Sequence, residues 1–218
     1  MNVWQHFVKR GFDLCLAILS LILFGWLIFP CWLIATIDTK QNGLYTQERV
    51  GKNGKKFNIL KIRTMRVVKG FTSVVTQRGD PRVTRIGAIL RRLKLDELPQ
   101  LINVLLGQMS FVGPRPDVVG FADLLQGEDA IILTVRPGIT GPATLFFRNE
   151  EELLANSADP ERYNREVLFV TKVRLNREYL ENYSFFKDIM YIIATVVPRI
   201  QSWFFPELKF YQDVERMY

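Results

Sequence analysis

Two acidic residues, Asp96 and Glu97, stand side by side directly before an apolar helical pattern. Adjacent residues of a helix point about 100° apart, so these carboxyl groups are not expected to share one proton as an aspartic dyad does. One interpretation is structural, because acidic side chains at a helix start cap free N–H groups and interact favourably with the helix dipole. The other is chemical. Arg91 and Lys94 lie just upstream, and a carboxylate held among cations and phosphates can ligate Mg²⁺ or act as a nucleophile in phosphoryl transfer.

Several basic residues are candidates for binding phosphate. Arg115 has proline on both sides, which restricts the backbone and aims the guanidinium at low entropic cost. Arg136 directly precedes a Pro-Gly pair, and Lys61 and Arg63 alternate with apolar residues in a strand pattern. Each has a simpler interpretation, since exposed turn arginines and solvated strand faces are common. The residue types alone leave both interpretations open.

The composition limits the class of protein. The chain has 218 residues, of which 48% are apolar and 23% charged, so it can form a packed domain and is not disordered. Lys and Arg number 29 against 22 for Asp and Glu, a net charge of +7 that suggests an anionic partner: phosphate, nucleic acid or anionic lipid. The single histidine, His6, excludes a Ser-His-Asp hydrolase and a multi-histidine metal site. Two cysteines exclude a disulfide-stapled miniprotein and a multi-cysteine zinc domain.

Residues 14–37 contain no charged side chain. As a helix they would rise about 36 Å, enough to cross a hydrocarbon core of ~30 Å. The run is too long for a signal peptide, whose apolar region has only ~7–15 residues. Cys15 and Cys31 lie inside it and are expected to be reduced. We therefore predict a membrane-inserted segment with its basic flank, residues 1–37, followed by a catalytic domain, residues 38–218.

Basic residues flank this apolar run on both sides. Lys9 and Arg10 precede it, and five lysines and arginines follow within residues 40–56. Positive charge marks the cytoplasmic side, and one crossing cannot place both flanks there. A re-entrant helix bent at Pro30 can, whereas a single kinked span is the alternative. From the two basic flanks we predict that the N-terminus and the main domain share the cytoplasmic side.

The rest of the chain predicts a small mixed α/β domain rich in helix. Strands are expected at residues 44–50 and 57–64, joined through an Asn53-Gly54 turn signal. Leu60 and Ile62 would form an apolar strand face opposite the basic face of Lys61 and Arg63. Helices are expected at residues 83–95, from Asp96 or Glu97 to Gly107, at 150–155 and at 163–183. A final apolar stretch, 185–205, is broken at Pro198 and suits either a core or a membrane surface.

The spacing of apolar residues predicts the buried faces of two helices. The first carries Ile86, Ile89, Leu90 and Leu93 on one face. The second carries Leu98, Leu101, Ile102, Leu105 and Leu106.

Three classes of function fit these features. A phosphate-handling membrane enzyme accounts for the apolar run, the acidic pair and the basic loops. A membrane-tethered nucleic-acid binder accounts for the charge, but its aromatics should interleave with basic residues on a sheet, and most lie in apolar helices here. A structural adaptor leaves the arginine-bearing proline loops unexplained.

The motifs resemble those of the bacterial sugar transferase family, the small monotopic phosphoglycosyl transferases. The strongest likeness is Leu-Asp-Glu-Leu-Pro-Gln-Leu at residues 95–101, continuing to Gly-Pro-Arg-Pro at 113–116. The likeness extends in order over most of the chain, from about residue 7 to 198. It includes Lys-Arg-Gly-Phe-Asp at 9–13, Lys-Ile-Arg-Thr-Met at 61–65, Asp-Pro-Arg-Val-Thr at 80–84 and Arg-Pro-Gly-Ile-Thr-Gly at 136–141.

The resemblance implies transfer of a sugar-1-phosphate from a UDP-sugar to polyprenyl (undecaprenyl) phosphate with release of UMP, the first step of a membrane-linked glycan. By similarity Asp96 would be the nucleophile, forming a phosphosugar–aspartyl intermediate with Mg²⁺, and a ligand of that ion. Glu97 would be its essential partner in metal or proton handling. The basic positions that family motifs suggest for substrate binding are Arg91, Arg115, Arg148, Lys61, Arg63 and Arg136.

The resemblance also implies a place in the cell. It suggests a compact cytosolic α/β domain with a short β-hairpin, a re-entrant membrane helix and amphipathic interfacial helices on the cytoplasmic face of the bacterial inner membrane. Expected partners are the lipid bilayer and downstream glycosyltransferases, with no nucleic acid, and a homodimer is compatible with it. Two segments depart from the family pattern: Gly25-Trp26 where Ser-Pro is usual, and Pro142-Ala143-Thr144 where many members have Trp-Ala.

Overall fold

The computed structural model describes residues 1–68 and 75–205. The described chain is a helix-rich mixed α/β fold with one long apolar helical segment at its N-terminus and a short two-stranded hairpin, as the sequence predicts. Residues 206–218, the end of the predicted catalytic domain, lie outside the described residues.

The N-terminal apolar segment forms two consecutive helices, α1 (Val3–Phe24) and α2 (Ile28–Thr39). A 3₁₀ turn, Gly25–Leu27, separates them. The interruption lies just before Pro30 and includes Trp26, whose carbonyl the Pro30 ring would meet in a regular helix. A bend that returns the chain to the same side of a membrane stays a prediction. Pro30 is the third residue of α2, where its missing N–H has no helical partner to lose.

Both helices are buried along a narrow stripe with a spacing of four residues. In α1 the buried positions are Lys9, Asp13 and Ala17, and in α2 they are Cys31, Ala35 and Thr39. No residue between these two sets is buried. Helix α1 packs on the helix and strand that follow the acidic pair, whereas α2 packs on the hairpin and on the helix before the pair. Both arms of the apolar segment thus contact the same domain.

Strands β1 (Leu44–Val50) and β2 (Lys56–Ile62) form an antiparallel hairpin, which confirms the predicted pair. The turn uses left-handed backbone conformations at Asn53 (φ 56°) and Gly54 (φ 70°), which asparagine and glycine adopt more readily than other residues.

Both faces of β2 are covered, so the predicted division into one apolar and one basic face is wrong. Phe57 and Ile59 pack in a cluster with Ala17 of α1. On the other face, Ile62 packs with Cys31 of α2. Lys61 shares the face of Phe57 and Ile59, since alternate residues of a strand point the same way. Its side chain is only 20% exposed.

Two helices flank the acidic pair, α3 (Arg85–Arg92) and α4 (Gln100–Leu105). Their buried faces differ from the predicted ones. In α3 the buried residues are Gly87 and Leu90. The other predicted apolar residues are exposed: Ile86 38%, Ile89 47% and, just after the helix, Leu93 58%. In α4 the buried residues are Gln100, Leu101, Asn103 and Val104, while Ile102 and the following Leu106 are exposed. Apolar spacing found these helices but did not show which side faces the core.

The remaining described elements form the larger part of the core. Strands β3 (Ser110–Val112) and β4 (Gly138–Thr140) pair in parallel. The helices are α5 (Pro142–Phe146), α6 (Glu150–Asn156), α7 (Pro160–Tyr163), α8 (Phe169–Glu181), α9 (Phe185–Val196) and α10 (Gln201–Phe204). A π-helical segment, Asn164–Leu168, divides the helix predicted at 163–183. The predicted break at Pro198 is confirmed.

Three charged residues attach α1 to the domain. Lys9 Nζ lies 2.6 Å from Asp188 Oδ2 of α9, and both side chains are buried. Asp13 accepts a hydrogen bond from the Phe111 backbone N–H at 3.1 Å. The Arg10 guanidinium donates to two carbonyls at the C-terminal end of α4, a position that favours positive charge. The basic flank therefore also serves as a structural anchor.

Candidate active site

Asp96 and Glu97 lie in a 3₁₀ turn, Leu95–Glu97, between α3 and α4. Lys94 precedes it in the left-handed region at φ 58°. The Leu98 N–H donates to the Leu95 carbonyl, so helical structure begins at the acidic pair before α4 itself starts. The predicted helix start is confirmed, with a tighter first turn than expected.

Two cations hold Glu97. Arg115 Nη2 donates to Glu97 Oε1 at 3.0 Å, and Lys61 Nζ lies 3.6 Å from the same oxygen. Burial alone would raise the pKa of Glu97, but Arg115 and then Lys61 outweigh that effect and hold the pKa far below its usual range. Glu97 therefore stays ionised and is poorly suited to donate a proton.

Lys61 reaches this carboxylate from the end of β2. Burial lowers the pKa of Lys61 to about 8, with Glu97 opposing the shift and Arg115 adding to it. The ammonium group still carries its proton at neutral pH, so Glu97 is flanked by two positive charges there.

Asp96 has the opposite environment. Only 8% of the residue is exposed, and its Oδ1 has no hydrogen-bond partner in the part of the chain that the structure describes. Burial raises the pKa of Asp96 and the charge of Glu97 adds to the rise, whereas Lys61, Lys94 and Arg91 oppose it. The pKa values of the two neighbouring carboxyl groups are thus moved apart, the arrangement that gives paired acids separate roles.

The unpartnered oxygen of Asp96 is a candidate metal ligand. Among residues 1–68 and 75–205, no cluster of three or more His, Cys, Asp or Glu is placed to hold a metal ion by itself. Proteins commonly hold Mg²⁺ through one or two carboxylates together with substrate phosphates. The donor set at Asp96 fits such a shared ion and does not fit an all-protein metal centre.

The loop that carries Arg115 is fixed by close backbone packing. The Gly113 N–H donates to the Thr140 carbonyl at 3.0 Å, and the Gly138 N–H donates to the Pro114 carbonyl at 2.8 Å. A Cβ on Gly113 would lie 2.6 Å from the Arg136 carbonyl oxygen, so a larger residue would force the two loops apart. The loop that begins at Gly113 and the segment that contains Arg136 and Gly138 therefore pack against each other and hold Arg115 in place.

Arg91 lies at the edge of this site. Its guanidinium forms an ion pair with Glu151 at the start of α6, and its charge also acts on Asp96. The acidic residues that open α6 each have a cationic partner: Glu150 with Lys172, Glu151 with Arg91 and Glu152 with Arg78.

The structure does not bring all predicted binding residues to the acidic pair. Arg63, Arg136 and Arg148 each donate to a backbone carbonyl elsewhere, those of Asn42, Gly107 and Ala194 respectively. Arg63 also stacks over the Tyr45 ring, with 5.2 Å between Cζ and the ring centroid. Their roles in substrate binding stay predictions.

Arg49 also belongs to the site, although no sequence motif pointed to it. It lies on β1 and donates to the carbonyl of Pro116, next to Arg115. The available signal was strand alternation: with the hairpin in register, Arg49 and Gln47 share a face with Lys61. Basic residues are seldom found on a strand face that is covered by other elements, so this position could have been identified as a candidate site residue.

The fold and the site are those of a small helix-rich α/β protein with a carboxylate–cation cluster suited to phosphate chemistry. The chain belongs to the bacterial sugar transferase family, whose model matches residues 4–202.

Comparison with characterised proteins agrees with this assignment. The chain is 33% identical over 204 residues to the exopolysaccharide production protein ExoY of Rhizobium meliloti (strain 1021), covering 86% of this chain and 83% of that protein. It is 37% identical over 199 residues to the UDP-glucose:undecaprenyl-phosphate glucose-1-phosphate transferase of Escherichia coli (strain K12), covering 88% of this chain and 40% of that protein. It is 33% identical over 194 residues to the UDP-N-acetylgalactosamine-undecaprenyl-phosphate N-acetylgalactosaminephosphotransferase of Aeromonas hydrophila, covering 87% and 43%. The names of the E. coli and A. hydrophila relatives are those of phosphoglycosyl transferases.

Proposed function

We propose that this protein transfers a sugar-1-phosphate from a UDP-sugar to undecaprenyl phosphate through a phosphosugar carried on Asp96. The observation that carries the proposal is the buried, unpartnered Oδ1 of Asp96 beside a Glu97 whose charge is already balanced. The names of the E. coli and A. hydrophila relatives support the two substrates.

The proposed reaction has two displacements at one phosphorus atom. An Asp96 carboxylate oxygen attacks the sugar-bearing phosphorus of the UDP-sugar, and the bond from that phosphorus to UMP breaks. A phosphate oxygen of undecaprenyl phosphate then attacks the same phosphorus and releases the carboxylate, leaving a lipid-linked diphosphosugar. Splitting one transfer into two steps is the usual advantage of a protein nucleophile.

The neighbouring residues would serve this chemistry by charge. Arg115 and Lys61 keep Glu97 ionised and offer N–H donors to incoming phosphate oxygens. The Arg115 side chain is 36% exposed, so a substrate can reach it. Asp96 is the residue that would hold Mg²⁺ together with the diphosphate. When bound, such an ion offsets the repulsion between carboxylate and phosphate. The lowered pKa of Glu97 argues for a charge-organising role rather than proton transfer.

We further propose that α1 and α2 enter the cytoplasmic leaflet of the bacterial inner membrane and return to the same side. Three observations support this. The buried stripes of both helices contact one domain, whereas a straight crossing would place about 30 Å of hydrocarbon between their outer ends. The intervening tip is apolar and exposed, with Ile22 at 73% and Trp26 at 68%. The exposed apolar residues of α3 and α4 suit the bilayer surface.

The lipid-linked product would prime a glycan such as an exopolysaccharide. Glycosyltransferases that extend the lipid-linked sugar would then follow. A homodimer stays a prediction.

Accessibility labelling tests the membrane topology. Single cysteines at Asn2 and Asn53, with Cys15 and Cys31 replaced by alanine, should both react only from the cytoplasmic side. Both positions are exposed. The combined change Gly25→Ala and Pro30→Leu should raise the fraction of molecules labelled from opposite sides, because it favours one continuous helix. Opposite-side labelling of the parent protein would contradict the re-entrant arrangement.

A substrate panel tests the function as a whole. Purified protein in detergent is given undecaprenyl phosphate, Mg²⁺ and one of several UDP-sugars, including UDP-glucose and UDP-N-acetylgalactosamine, because two relatives are named for these sugars. UMP release with one or more donors is expected. No release with any donor would overturn the proposal.

A further inference from the structure

Strand β1 holds the loop after Arg115 through two consecutive residues. Arg49 Nη1 donates to the Pro116 carbonyl at 3.1 Å, and the Val50 N–H donates to the Asp117 carbonyl at 3.0 Å. Since Arg115 immediately precedes these carbonyls, any shift of β1 is transmitted to it. We infer that Arg49 is a positioning residue that fixes Arg115 against Glu97, and this inference rests on the proposed function of the site.

The Arg49 guanidinium is itself held on a second side. Its Nη2 donates to Gln47 Oε1 at 2.7 Å. In the hairpin register Tyr45 lies opposite Lys61, and Gln47 and Arg49 follow on the same face. One hairpin thus carries Lys61 and braces Arg115, the two cations that hold Glu97. The geometry of the acidic pair therefore depends on an element outside the helices that carry it.

Burying an arginine at this position costs stability, so a stabilising role alone does not explain why the residue is there. Burial lowers the pKa of Arg49 and the neighbouring Arg115 adds to the fall, while Asp117 and Tyr45 oppose it. The buried Nε has no hydrogen-bond partner among the residues that the structure describes. Buried donors without partners are rare, and local costs of this kind are expected where a site requires a particular geometry. The two directed bonds of the guanidinium supply that geometry.

The kinetic test compares three variants in the UMP-release assay. Arg49→Met removes both directed bonds and should lower kcat/KM by up to about 100-fold, because a misplacement of ~1 Å in an active site can cost that much. Arg49→Lys keeps one donor and should recover part of the loss. Lys56→Met is the matched control on the same hairpin, because its ion pair with Glu48 is exposed, and it should remain close to wild type.

A double-mutant cycle separates positioning from a general loss of structure. If Arg49 acts through Arg115, Arg49→Met should cost little more once Arg115→Ala is present, because coupled residues are not additive. An equal loss in both backgrounds would overturn the inference. Should Arg49→Met fail to fold, Gln47→Leu replaces it in the cycle, since it frees one side of the guanidinium and keeps the charge.

Hydrogen exchange provides a readout that does not depend on activity. Peptides covering residues 113–119 should exchange faster in Arg49→Met or Gln47→Leu than in wild type, and Lys56→Met should not change them. Unchanged exchange in both variants would overturn the inference whatever the enzyme does. If exchange rises but wild-type protein releases no UMP from any donor, the proposed function fails and the bracing of the loop stands.

Discussion

Asp96→Asn should abolish both UMP turnover and formation of a covalent adduct. Wild-type protein given its UDP-sugar and Mg²⁺ without lipid should release at most about one UMP per active site in a burst, because the nucleophile stays occupied until an acceptor arrives. Adding undecaprenyl phosphate should discharge it. The asparagine variant should show neither event, since an amide is a poor nucleophile and a poor Mg²⁺ ligand. Mass spectrometry of the peptide spanning residues 95–101 measures the adduct.

Glu97→Gln is the matched control for this experiment. It replaces the neighbouring carboxylate with an amide, as Asp96→Asn does at Asp96, but leaves the unpartnered Asp96 oxygen in place. Arg115 and Lys61 would lose their counter-charge, so turnover should slow severely while some adduct still forms. If the mass shift never appears in wild type and UMP release strictly requires the lipid, direct transfer in a ternary complex is the better account. Asp96 would then be a metal ligand only.

Local signals account for most of what the sequence predicts correctly. The hairpin follows from strand alternation around Asn53 and Gly54, whose left-handed conformations the structure contains. The helical start at Asp96 follows from Pro99, which fits only near the beginning of a helix. The apolar N-terminal run follows from its length and lack of charge. Each of these depends on residues close together in the chain.

Errors arose where burial depends on distant partners. Ile86 and Ile89 have helical spacing but face outwards, because spacing does not distinguish a protein core from another apolar environment. A basic strand face was expected at Lys61 and Arg63, but α1 and α4 cover the face that carries Lys61. Such outcomes depend on tertiary packing, which periodicity does not encode.

The ion pair between Lys9 and Asp188 shows the same dependence on distant partners, since 179 positions separate the two residues. Their charged atoms lie 2.6 Å apart, with side-chain exposures of 8% and 1%. Tyr179 donates to the other carboxylate oxygen of Asp188 at 2.6 Å, and Tyr183 donates to the shared one at 3.3 Å. Both oxygens of the Asp188 carboxylate are thus bonded, and among the residues that the structure describes the cation paired with it comes from the N-terminal helix.

Lys9→Met should destabilise the protein by about 3–5 kcal/mol, the cost of leaving a buried charge without its partner. For a chain of this size that corresponds to a fall of roughly 10 °C in the melting temperature, measured on detergent-solubilised protein. Asp188→Asn should have a similar effect for the same reason. Lys56→Met, which breaks an exposed pair, should leave the melting temperature near wild type.

The double variant Lys9→Met with Asp188→Asn distinguishes an ion pair from two independent contributions. Removing both charges leaves no uncompensated ion, so the double variant should be less destabilised than the sum of the single changes. Strict additivity would show that the residues act separately. Because Lys9 lies in α1 and Asp188 in α9, a large coupling would also mean that the apolar helix and the domain fold as one unit. If Lys9→Met alone leaves the melting temperature unchanged, the apolar contacts around Ala17 must hold α1 in place instead.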